Sequence, residues 1–268
     1  MNKGPAARPF HLHIRISAYL HFFFLIFPFS IPPNMNAVIT GASKGIGKAI
    51  AERLAKEGFN IALCARNAAT LEATAAHIRQ LAPNVQVLAL PVDMSDKQQV
   101  LSFAAKVKAA FPVVDILVNN AGLFVPGALH QEEEGLLENL VATNVYSAYH
   151  LTRQLLPAMM EQRKGHIFNL TSTASYKAYP NGGAYSITKF ALLGFSKNLR
   201  EELKPHNIKV TALSPGPTLT ASWEGFEAPP DRLMPPEDIA SIVWAAYTLA
   251  SQTVVEEIVL RPMLGDIS

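Results

Sequence analysis

Apolar residues along this chain gather in short, β-branched runs separated by longer stretches where they recur every three or four positions. The runs at residues 37–40, 60–65, 85–90, 116–119, 166–171, 209–213 and 258–260 predict strands. The stretches at 45–57, 68–81, 97–111, 133–161, 184–204 and 236–251 predict helices. Strand and helix alternating at this rhythm imply one α/β domain, a parallel sheet covered by helices on both faces. Runs such as Ile116-Leu117-Val118 show no polar alternation, as expected of strands covered on both sides. The proline-rich stretch 228–236 reads as a surface loop inside this domain, not as a linker.

Residues 1–34 break the pattern. Residues 14–31 are strongly apolar, with Phe22-Phe23-Phe24-Leu25-Ile26-Phe27, but Arg15, His21 and Pro28 interrupt them. A membrane-spanning helix wants roughly 20 clean apolar residues, so this is a marginal anchor. Ser30-Ile31-Pro32-Pro33 is a poor signal-peptidase site. Met35 stands one strand before a glycine-rich loop, so residues 1–34 also read as an upstream extension of the reading frame, or as a packed arm. The domain proper is expected over 35–268.

Composition narrows the classes. The chain has 268 residues, 49% of them hydrophobic, enough for one large buried sheet. A net charge of +2 without a long basic block argues against a nucleic-acid or membrane-surface partner. A single cysteine, Cys64, excludes a disulfide within the chain and fits a reducing, cytoplasmic setting. The eight histidines are scattered without ligand spacing, so no metal site is expected.

Two motifs carry chemistry. The first predicted strand runs into Gly41-Ala42-Ser43-Lys44-Gly45-Ile46-Gly47 and then a helix. Glycines there allow a tight turn and let backbone N–H groups approach a pyrophosphate, and the helix N-terminus adds a favourable dipole. The spacing G-x-x-x-G-x-G differs from the commoner G-x-G-x-x-G, and no P-loop Gly-Lys-Ser/Thr ending follows. Farther on, Tyr185 and Lys189 stand at i and i+4 of one predicted helix, so they share a face.

With Asn119-Asn120-Ala121-Gly122, Ser172 and Pro215-Gly216 followed by Thr220, these motifs make the chain resemble the short-chain dehydrogenases/reductases over residues 35 to about 260. The resemblance implies a single doubly wound Rossmann-type domain with seven parallel strands in the order 3-2-1-4-5-6-7. It implies hydride transfer between a carbonyl and an alcohol, with Tyr185 as general acid/base and Lys189 holding the nicotinamide ribose. An ammonium and an oxidised nicotinamide beside Tyr185 favour its phenolate. Ser172 would hold the substrate carbonyl, and Asn144 a relay water. Gly41, Ser43, Lys44, Gly45, Ile46, Gly47, Asn120, Ala121 and Gly122 would meet the cofactor. So would Asp93 and Met94 beside the adenine, and Pro215, Gly216, Thr218 and Thr220 at the carboxamide.

The end of the second strand bears on the nicotinamide. A carboxylate there would bind the ribose hydroxyls of NAD, whereas an arginine suits the 2′-phosphate of NADP. The sequence reads Ala65-Arg66, with Lys44 as a second cation, so the expected cofactor is NADP(H). Residues 221–234, with Trp223 and Phe226, read either as an aromatic lid or as a packed loop; as a lid, with Phe124 and Val125, they suggest an apolar pocket for a small carbonyl or alcohol. Ser175, Tyr176 and Tyr179 read as further pocket walls. Glu132-Glu133-Glu134 is expected to open the fourth-to-fifth crossover helix, where acids suit the dipole. Asn169-Leu170-Thr171 matches a glycosylation pattern but falls in a predicted buried strand.

The family's acyl-thioester reductases end in an Asp-Gly-Gly segment that this chain lacks. A 3-oxoacyl-thioester reductase is therefore an alternative to a carbonyl reductase, and a non-catalytic NADP-binding sensor a more distant one. A homodimer or homotetramer through the two long helices is implied by the resemblance.

Overall fold

The computed structural model describes Met1 and residues 35–220, 229 and 232–266. The expected anchor at 14–31 and the lid residues Trp223 and Phe226 lie outside these residues. No described helix is long and apolar enough to cross a membrane.

The chain alternates β1 (Asn36–Thr40), α1 (Gly45–Lys56), β2 (Asn60–Ala65), α2 (Ala68–Leu81), β3 (Val87–Pro91), α3 (Lys97–Ala110) and β4 (Ile116–Asn119). Then follow α4 (Leu136–Val141), α5 (Ser147–Gln162), β5 (Gly165–Leu170), α6 (Gly183–Leu203), β6 (Ile208–Pro215), α7 (Pro236–Thr248) and β7 (Glu257–Leu260). The seven strands are parallel and lie in the order β3-β2-β1-β4-β5-β6-β7. The expected Rossmann-type sheet is therefore the observed one.

Register explains the core. Leu88, Ala62, Val38, Leu117, Ile167 and Val210 stand side by side across six strands. They form one apolar row beneath α3, α5 and α6, where Phe103, Leu155, Met159 and Leu203 close over them. On the other face α1 packs between α2 and α7. Both faces of the inner strands are covered, which is why β1 and β4 are buried along their whole lengths. The edge strands β3 and β7 are only partly buried. Buried Asn169 lies in β5, a setting incompatible with glycosylation.

One expected helix comes out differently. The crossover helix of 133–161 begins at Leu136, after Gly135 at φ 87°, and a π-turn at Ala142–Tyr146 divides it into α4 and α5. π-turns of this kind are often found at functional positions, and this one holds Asn144. The acids 132–134 precede the helix instead of opening it. Glu132 turns away and accepts a hydrogen bond from the backbone N–H of Ala184, in α6.

The strand order reverses between β1 and β4. In a doubly wound sheet, that reversal opens a crevice at the carboxyl ends of the strands.

Candidate active site

A cleft of about 1150 Å³ runs along this crevice. Its floor is set by Thr40 at the end of β1. The Thr40 hydroxyl accepts from the backbone N–H groups of Asn120 (3.0 Å) and Ala121 (2.9 Å). The Asn120 side chain donates back to the carbonyls of Thr40 (2.8 Å) and Gly41 (3.1 Å). The loops after β1 and β4 are thus locked together at the switch point.

The glycine loop turns sharply, with φ 65° at Gly41 and 58° at Gly45. At Gly41 a Cβ would stand 2.9 Å from the Ala121 Cα, and at Gly47 one would stand 2.6 Å from the Gly41 carbonyl oxygen. Only glycine lets these two loops and α1 approach so closely. Gly41, Ser43, Lys44, Gly45 and Ile46 face the cleft, while Gly47 is buried behind them. Gly47 is a packing glycine, not a lining one.

Of the remaining cofactor candidates, all line the cleft: Arg66, Asp93, Met94, Asn120, Ala121, Gly122, Pro215, Gly216, Thr218 and Thr220. Exposed Lys44 and Arg66 give the far end of the cleft two cations. Asn67 caps α2 by accepting from Thr70 N–H, which fixes the turn on which Arg66 stands. Asp93 accepts from the backbone and hydroxyl of Ser95. Gly216 N–H donates to the Leu260 carbonyl and Thr218 donates to Gly216, so the turn after β6 is pinned to β7.

At the other end stand Ser172, Tyr185 and Lys189. Ser172 caps the short 3-10 turn Thr173–Ser175: its hydroxyl accepts from Ala174 N–H, and its own N–H donates to the Ser175 hydroxyl. Ser175 in turn donates to the Lys189 carbonyl, so serine and lysine are tied through one buried side chain. Lys189 is buried and donates to the Leu170 carbonyl at 2.8 Å. Its nitrogen lies 5.6 Å from the centre of the Tyr185 ring. Burial pushes the Lys189 ammonium down to about 8.

Burial pushes the Tyr185 phenol up to about 12, and a hydrogen bond with Ser172 only partly opposes that. In the protein alone the neutral phenol is therefore the favoured form, because desolvation outweighs the Ser172 hydrogen bond. Phe124 packs edge-on against the ring, centroids 4.8 Å apart.

Asn144 does not line the cleft. Its amide bonds Leu123 in both directions, at 2.7 and 3.0 Å, and donates to the Thr188 hydroxyl at 2.9 Å. It fastens the loop after β4 to α6. Gly122 leaves room for it: a Cβ there would lie 3.3 Å from Asn144 Oδ1 and 3.6 Å from Lys189 Nζ.

Of the three extra wall residues expected, only Tyr179 lines the cleft. Ser175 is buried beneath it, and Tyr176 turns to Glu257 on β7 at 2.5 Å. Leu123, Phe124, Ala174, Ala178 and Pro180 make the wall largely apolar, but Val125 lies outside it and Lys177 adds a cation. Neither Lys177 nor Asp266, at the opposite lip, was singled out by any sequence motif.

A dinucleotide-type crevice ending in a Ser-Tyr-Lys cluster defines a Rossmann-fold oxidoreductase. The comparisons agree and narrow the class. Residues 35–230 match the short chain dehydrogenase family. Sepiapterin reductase of Chlorobaculum tepidum is 36% identical, covering 86% of this chain and 97% of the relative. A metagenomic short-chain oxidoreductase solved in complex with NADP is 33% identical, with a TM-score of 0.75 over 85% of this chain and 97% of that one. An alcohol dehydrogenase of Thermococcus sibiricus, complexed with 5-hydroxy-NADP, is 30% identical, with a TM-score of 0.81 over 88% and 99%. The chain belongs to the short-chain dehydrogenase family.

Proposed function

We propose that this protein is an NADP(H)-dependent reductase that interconverts a carbonyl and an alcohol. The observation that carries the reading is the Ser172–Tyr185–Lys189 cluster at one end of a cleft whose other end carries Lys44 and Arg66.

The cleft residues fit a dinucleotide phosphate. The bare glycine backbone at Gly41 and Gly45, the N-terminus of α1 and two cations suit a pyrophosphate and a 2′-phosphate. Arg66, Lys44 and Ser43 would hold the adenosine end. Asn120, Ala121, Gly122, Lys189, Pro215, Gly216, Thr218 and Thr220 would hold the nicotinamide end. The bound nicotinamide supplies or accepts the hydride.

The chain handles the proton. A phenol raised to about 12 keeps its proton at neutral pH, so Tyr185 is set to give it to a carbonyl oxygen during reduction. The Ser172 hydroxyl, bonded to the phenol in the empty site, would turn its one O–H to that oxygen and fix its position. The Lys189 ammonium, present below about pH 8, stabilises the phenolate left behind. The apolar wall of Leu123, Phe124 and Ala178 excludes water from the exchange. The substrate is a small, largely apolar ketone or aldehyde. The protein acts as a homo-oligomer joined through α5 and α6, where Tyr149, Ile187 and Phe190 are exposed.

The test is Tyr185→Phe. The variant should bind NADPH as the parent does and lose turnover by about 1000-fold. Full turnover would rule out the proton role given to Tyr185.

A further inference from the structure

We propose that Glu132 is a positioning residue for Tyr185, clamping the loop after β4 to the helix that carries the tyrosine. Its carboxylate accepts from the backbone N–H of Ala184 at 2.8 Å, across 52 positions of sequence. Ala184 is the residue immediately before Tyr185.

The cap on α6 has to come from outside. The helix begins Gly182-Gly183, and Gly182 at the N-cap has no side chain to offer its first N–H groups. Glu132 supplies the acceptor, and its charge suits that end of the helix. The approach depends on Gly183, whose φ is 40°. A Cβ there would collide with the Glu132 carboxylate and lie 2.5 Å from the Gly127 carbonyl oxygen. A second bond, from Gly127 N–H to the Asn181 carbonyl at 3.0 Å, joins the same two loops.

The consequence is geometric. The segment 123–132 is anchored at both ends to α6. Leu123 reaches Thr188 through the Asn144 amide, and Glu132 reaches Ala184 directly. These two anchors bracket Tyr185. Between them Phe124 rests on the Tyr185 ring. Glu132 therefore sets the distance between the two walls of the substrate end and the direction of the phenol, and does not itself touch the reacting atoms.

The proposal rests on the reading of Tyr185 as the acid–base group, and the experiment separates the two. In the full chain, Glu132→Ala, Glu132→Asp and Glu132→Gln are compared with the parent. The readouts are NADPH affinity, kcat and KM for a reducible ketone, thermal midpoint, and amide hydrogen exchange of peptides spanning 122–132 and 179–187. Alanine removes the acceptor, and aspartate keeps the charge but falls one methylene short of Ala184. Glutamine keeps the reach and the acceptor without the charge.

The expected result is a fall in kcat of about tenfold to 100-fold for Ala and Asp, faster exchange in both peptides, NADPH affinity within twofold of the parent, and near-parental behaviour for Gln. Unchanged kcat and exchange in Glu132→Asp would overturn the proposal, even if Glu132→Ala failed to fold. So would a Gln variant as impaired as Ala, since charge and not position would then be at work. Should the parent turn over no carbonyl compound while the exchange pattern appears as stated, the functional reading fails and the clamp stands.

Discussion

The nucleotide end of the cleft presents mainly backbone to a ligand, whereas the substrate end presents side chains held in place by bonds between loops. Gly41 and Gly45 make the first surface by leaving things out, with Gly47 packed behind them: at Gly41 and Gly47 another chain segment comes too close for a Cβ. Ser172, Tyr185 and Lys189 make the second by being tied down, through Ser175, Leu170 and Asn144. The first end is intolerant of added atoms at its glycines and takes its charge from Lys44 and Arg66. The second depends on individual hydrogen bonds and on burial that shifts the acidity of its working groups. A fixed ligand suits the first kind of surface and a variable substrate the second.

Adding one methyl group should break the nucleotide end hardest. Gly47→Ala places a Cβ against the Gly41 carbonyl and the Asn120 side chain. Overpacking of this kind costs about 3 kcal/mol, a fall in melting temperature of roughly 6 to 12 °C for a chain of this size. Calorimetry with and without NADPH would read both the loss of stability and the loss of cofactor-linked stabilisation.

At the substrate end the matching change is Ser172→Ala, which removes atoms. It should lower kcat by about 100-fold with NADPH affinity unchanged, as steady-state kinetics and fluorescence titration would show. If NADPH affinity fell in step with kcat, the division of the cleft into two independent ends would be wrong.

Arg66→Ala sharpens the nucleotide side alone. Losing one charge-assisted contact should weaken NADPH by about tenfold and leave NADH nearly unaffected. Equal losses for both cofactors would mean that Arg66 does not read the 2′-phosphate.

The smallest effect is that of pH. The buried Lys189 ammonium is lowered to about 8, so its charge is present below that pH and lost above it. The rate of carbonyl reduction should be level at neutral pH and decline a few-fold as pH rises past about 8. A rate that climbed through that range would contradict the role assigned to the ammonium.

The same contrast governs what could be read from the chain. The parallel sheet followed from β-branched runs, because strands buried on both faces leave an unbroken apolar signature, and its strand order from the family resemblance that the motifs carry. The phosphate loop was legible because glycine spacing is a local record of backbone geometry. Most of the expected site residues line one cleft. Gly47 and Asn144 do not line it: Gly47 packs behind the glycine loop, and Asn144 bonds Leu123 and Thr188. Glu132 looked like a helix-opening acid, and its true partner lies at Ala184, a pairing that only the folded chain creates. The raised pKa of Tyr185 was not legible for a like reason. Proximity of a lysine is visible in the i, i+4 spacing, whereas desolvation depends on loops contributed by β4 and β5.

The most direct test of the account is to follow NADPH and NADH consumption by the full chain against a panel of ketones, aldehydes and 3-oxoacyl thioesters, measuring binding of each cofactor alongside. The account predicts tight NADPH binding, weaker NADH binding, and one alcohol formed per NADPH consumed with at least one simple ketone or aldehyde. A folded protein that bound neither cofactor would contradict it.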